Sequence, residues 1–83
     1  MTPKEQAHLF LATYDRPGCS PDERHIVRIA TTWLQLLAAE VYAEGLVEEI
    51  IADFREPVPP GYGSGWLELR DAFTIWARKE EYL

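Results

Sequence analysis

The chain has 83 residues, which suits one small domain and leaves no room for a catalytic domain beside a regulatory one. An apolar fraction of 47% with 27% charged residues is globular usage, which excludes a disordered or fibrous chain. The net charge of −6, from 14 acids and 8 bases, argues against direct nucleic acid binding and against an anionic membrane as partner.

The first predicted element is a helix over residues 3–14. Thr2-Pro3-Lys4-Glu5 places a hydroxyl at the N-cap, proline at the first helical position and glutamate at the third. Hydroxyl and carboxylate can then each accept one of the helix's unpaired amides. Ala7, Phe10, Leu11 and Tyr14 form its apolar stripe, and Asp15-Arg16-Pro17-Gly18 ends it. Ser20-Pro21-Asp22-Glu23 repeats the same start, so a second helix opens at residue 21. Nothing beyond Gly45 interrupts it before about residue 55, and the expectation is one long helix, bent or broken at that glycine. Pro57 to Gly65 is rich in proline and glycine and reads as a linker. A last helix is expected from residues 64–66 to about 82, with Trp66, Leu69, Phe73 and Trp76 as its stripe, broadened by Leu67 and Ala72. No segment alternates with period two, so the predicted fold is an all-α bundle of three helices, short, long and medium.

The middle of the long helix, residues 33–43, is apolar around most of its girth. Two shorter antiparallel helices would leave Trp33, Leu36, Leu37 and Tyr42 exposed, which predicts a homodimer. These residues, with Trp66, Phe73 and Trp76, are the candidate dimer or core positions. The lone Cys19 cannot form an internal disulfide, the start of the chain is too polar for a signal peptide, and no apolar run reaches about 18 residues. A cytoplasmic setting is expected.

The charge is unevenly placed. Residues 1–39 are balanced and residues 57–83 sum to −1, whereas residues 40–56 carry six acids against Arg55. Glu40, Glu44 and Glu48 recur at four-residue spacing, and Glu49, Asp53 and Glu56 form a neighbouring stripe. Like charges so spaced destabilise a helix by about 0.2–0.5 kcal/mol per pair. One reading is a solvated face that keeps the protein soluble. The other is a docking strip for a protein partner with a basic surface, on Glu40, Glu44, Glu48, Glu49 and Asp53, with Tyr62 of the linker as an aromatic anchor.

Other chemistry has less to stand on. Cys19, Asp22 and His25 gather around the second helix start, but one cysteine and two histidines lack zinc-ligand spacing, and no oxyanion site accompanies a Cys19–His25 pair. Gly61-Tyr62-Gly63-Ser64-Gly65 lacks the Lys-Ser/Thr ending of a phosphate loop and no strand precedes it. A helix-turn-helix around Gly45 would present carboxylates where phosphates need Arg or Lys. The paired carboxylates resemble those of all-α nucleotide pyrophosphohydrolases, which join an E-x-x-E to a later E-x-x-D and would imply Mg²⁺. Here Glu44 to Glu48 and Glu49 to Asp53 are each one residue longer, which places metal-dependent hydrolysis last.

In size and acidity the chain resembles small phage-encoded inhibitors, among them anti-CRISPR and anti-restriction proteins, that occlude nucleic-acid-binding enzymes. The resemblance is one of composition and implies a non-enzymatic inhibitor or modulator. The competing expectation is a structural or adaptor subunit that binds through apolar helix surface. No catalytic residue, no metal and no cofactor is expected.

Overall fold

The computed structural model describes residues 1–38, 43–55 and 63–83. Four helices are described: α1 (Pro3–Tyr14), α2 (Pro21–Ala38), α3 (Ala43–Arg55) and α4 (Gly63–Lys79). Among the described residues there is no strand, so the all-α class holds.

Both capping boxes form. The Glu5 amide donates to Thr2 Oγ1 at 3.1 Å, and the Thr2 amide donates back to Glu5 Oε1 at 3.4 Å. At α2 the Glu23 amide donates to Ser20 Oγ at 3.2 Å, and the Ser20 amide donates to Glu23 Oε1 at 3.3 Å. Each carboxylate accepts these bonds in its ionised form, so each pKa lies below its ordinary value of 4.5. For Glu5 the Thr2 hydroxyl is the larger cause; for Glu23 it is the Ser20 amide.

In place of the single long helix expected over residues 21–55 stand two helices, so four helices are described and not three. Arg28 of α2 and Asp53 of α3 meet at 3.2 Å although 25 residues separate them. Along one continuous helix they would stand about 37 Å apart. A straight helix over residues 21–55 would also span about 50 Å, against a longest dimension of 34 Å for the molecule. Gly45 is not the break, because it is the third residue of α3. The passage from α2 to α3, residues 39–42, lies outside the described residues.

Physical cause for the fold-back lies in α2, whose apolar girth needs cover on several sides. With α3 turned back, Val47 and Ile50 join Trp33 and Leu36 in one buried core, and Phe54 packs against it. Ile26 and Ile29 of α2, Ala7 of α1 and Trp66, Leu69, Phe73 and Ala77 of α4 complete that core. Three of the four residues that predicted a homodimer are covered within the chain: Trp33 and Leu36 are buried and Leu37 packs against the core. Tyr42 lies outside the described residues. Trp33 is the hub, edge-on to Phe73 at 5.7 Å and tilted against Trp76 at 6.1 Å.

α4 begins at Gly63, inside the stretch expected to be linker, and ends at Lys79, short of residue 82. Gly65 is buried, and a methyl group there would overlap the Tyr14 hydroxyl and lie 2.6 Å from its Cζ. The glycine is what lets α4 start hard against the end of α1. Leu67, expected to broaden the apolar stripe, is exposed, while Ala72 packs against the core. The helix closes by a Schellman turn, with the Tyr82 amide donating to Ala77 O at 2.9 Å and the Glu81 amide to Arg78 O at 3.1 Å. Glu81 takes the left-handed position of this turn, at φ 63°.

Candidate functional site

The predicted docking residues sit on α3, where a four-residue step returns nearly to the same face. Glu44, Glu48 and Glu49 are exposed, and none has a cationic partner among the described residues. Asp53 behaves differently. It is half-buried and accepts from Arg28 Nη2 at 3.2 Å. Arg28 Nη2 also lies 2.9 Å from His25 Nδ1, and the His25 ring stacks on Trp66 at 5.0 Å and 14°. Phe54 meets the same indole edge-on at 5.1 Å.

Asp53 therefore fastens α3 to α2 and, through Arg28 and His25, reaches α4. An exposed pair of this kind is worth at most about 1 kcal/mol, so its role is to fix the crossing of the two helices more than to hold them together. The predicted acidic strip divides accordingly. Its Glu44–Glu48 stripe is open, whereas the Glu49–Asp53 stripe is tied to α2 at its far end. Glu40, Glu56 and the proposed anchor Tyr62 lie outside the described residues.

Residues that the sequence reading did not connect with this face come from the end of α4. The Schellman turn brings Glu81 and Tyr82 beside α3. A groove of about 190 Å³ is lined there by Glu44, Val47, Glu48, Ile51, Glu81 and Tyr82. A helix end with neither Gly nor Asn in its left-handed position carries little sequence signal, so nothing local marks Glu81 and Tyr82.

Around the α1–α2 turn, Cys19 is half-buried and lines a second hollow with Asp15, Arg16 and Arg24. His25 is engaged by Arg28 and Trp66, and the Asp22 side chain lies outside the described part. Among the described residues, no three His, Cys, Asp or Glu side chains are placed to hold a metal ion. Likewise no described helix is long and apolar enough to cross a membrane. No protein-family model matches the chain, and no curated protein or solved structure matches it significantly.

Proposed function

We propose that this protein is a non-enzymatic protein-binding protein, an inhibitor or modulator that docks its α3 carboxylates on a basic surface of another protein. The observation that carries the reading is the contrast along α3. Asp53 is engaged by a cation of its own chain, while Glu44, Glu48 and Glu49 stay exposed with no cation within salt-bridge distance among the described residues. A face built only for solubility gains from mixed charge, and interleaved Lys or Arg would remove the i, i+4 repulsion. Leaving the carboxylates uncompensated keeps their field for a partner, where it raises the association rate and selects against acidic surfaces.

The test is charge reversal. Glu44→Lys, Glu48→Lys and Glu49→Lys together touch exposed positions only and should leave the helical circular dichroism unchanged. Affinity capture from the source cells at low salt should recover a protein partner with wild type and lose it with the triple variant. Capture that is equal for both proteins would overturn the electrostatic reading.

A further inference from the structure

Apolar side chains stay open just past the end of α4: Leu83 is 54% exposed, and Tyr82 lies against Trp76 with ring centroids 5.6 Å apart. Beyond Tyr82 lies the groove against α3, with Val47, Ile51 and the Tyr82 ring as its apolar part and Glu44, Glu48 and Glu81 as its charged part. Among the described residues its lining has three carboxylates and no cation. Arg55 lines an adjoining hollow that shares Glu48, Ile51 and Tyr82 with the groove, at the end away from Glu44 and Glu81, and Lys79 borders a separate one.

Two different demands meet in this groove. Its apolar part is stabilised only when another apolar group displaces water from it. Its rim is stabilised by positive charge, and an acidic or neutral segment laid there would leave carboxylates desolvated without partners. Glu44 and Glu48 stand one helical turn apart, and Glu81 comes from a separate element. Lys and Arg side chains meet both demands at once, because their aliphatic stems can lie on Ile51 and Tyr82 while their charged heads reach the rim. A helix carrying such residues beside an apolar stripe presents them at matching one-turn intervals.

We infer that the groove between α3 and the Schellman turn of α4 is a seat for a basic amphipathic helix of a partner protein, with Tyr82 as the aromatic contact. This inference rests on the acidic-docking reading and deepens it, by naming the kind of segment recognised and an anchor at Tyr82. It also gives Glu81 a part in binding that its position at the end of α4 does not otherwise suggest.

Two capped synthetic peptides of about 14 residues, about four helical turns, serve as probes. One has Leu on one face and Lys on the other; its counterpart has Ser in place of Leu at the same charge. Binding to the full chain is measured by calorimetry, and the site is located by amide chemical-shift changes. The Leu–Lys peptide should shift amides of residues 44–51 and 81–83. It should bind about tenfold or more tightly than the Ser–Lys peptide, and lose about tenfold against Tyr82→Ala. Tyr82 is partly exposed and caps no helix by its side chain, and unchanged thermal unfolding of the variant confirms that the fold is intact. A Tyr82→Phe variant, which keeps the ring, should bind as wild type does.

Equal binding of the two peptides, or no loss with Tyr82→Ala, would overturn the groove while leaving docking on the α3 carboxylates standing. Leu–Lys binding that ignores both salt and the Glu44→Lys, Glu48→Lys change would overturn the acidic reading itself. Shifts confined to other surfaces would overturn the placement of the seat.

Discussion

Replacing Gly65 with alanine sets two effects of opposite sign against each other at one position. Alanine is favoured over glycine by about 1 kcal/mol in a helix interior and by less in the first turn, where Gly65 stands, so propensity alone predicts a stabilised protein. The added methyl group, however, would overlap the Tyr14 hydroxyl and lie 2.6 Å from Tyr14 Cζ and 3.3 Å from Ile26 Cδ1. Tyr14 packs on the core and cannot give way without losing that contact. Overfilling a packed site costs about 1–3 kcal/mol, which outweighs the propensity gain. The expected net loss is about 1 kcal/mol, or about 4–8 °C in Tm for a domain of this size. Thermal unfolding followed by circular dichroism measures it, with Gly45→Ala as the internal control. Gly45 is also within a helix but has open space around it, so there only the propensity acts and Tm should rise by a few degrees. Adding Tyr14→Phe to Gly65→Ala removes the nearest atom and should recover part of the loss. A Gly65→Ala variant as stable as Gly45→Ala would refute the close approach of α4 to α1.

Three further outcomes follow from the same geometry. Glu81→Gly relieves a non-glycine residue in the left-handed position and should stabilise the protein by about 1 kcal/mol in urea unfolding; a loss of stability would contradict the Schellman turn. Glu23 has a depressed pKa in the fold, so its contribution is complete above its ordinary value of 4.5 and is lost as pH falls through the lower folded value. The Tm difference between wild type and Glu23→Gln should therefore favour wild type at neutral pH and close in acid, and a gap that acid leaves unchanged would exclude the capping carboxylate as its source. Light scattering at micromolar concentration should return a 9.5 kDa species, since the apolar face of α2 is covered within the chain, and twice that mass would restore the case for a dimer.

Local signals in this sequence translated into structure where short-range chemistry decides. The Thr2–Glu5 and Ser20–Glu23 boxes, the stop at Asp15 and the stripe of Trp66, Leu69 and Phe73 all depend on residues within a turn or two of each other. The return of α3 along α2 depends instead on what covers Trp33 and Leu36, and a second copy or a second segment satisfies that need equally well on paper. Helical periodicity continues through residues 33–51, so nothing local marked the division into two helices. Gly45 drew the expectation of a break because glycine is the usual local sign, yet it is accommodated within α3 at the ordinary cost. Gly65 is the converse case: within a linker-like sequence it is a packing position, visible only once Tyr14 lies across it.

The candidate site was legible in part for the same reason. Carboxylate spacing along α3 follows from helix geometry, so the faces of Glu44, Glu48 and Glu49 could be read directly. That Asp53 belongs to Arg28, and that Glu81 and Tyr82 complete the groove, are facts of tertiary placement across 25 residues and more.

The most direct measurement is the association rate of the captured partner with wild type and with the Glu44→Lys, Glu48→Lys, Glu49→Lys variant, followed from low ionic strength to about 1 M salt, where the screening length is about 3 Å. Docking through the α3 carboxylates predicts a wild-type rate that falls steeply with salt, and a variant rate that starts lower and rises or stays flat. A wild-type rate that salt does not change, matched by the variant, would contradict it.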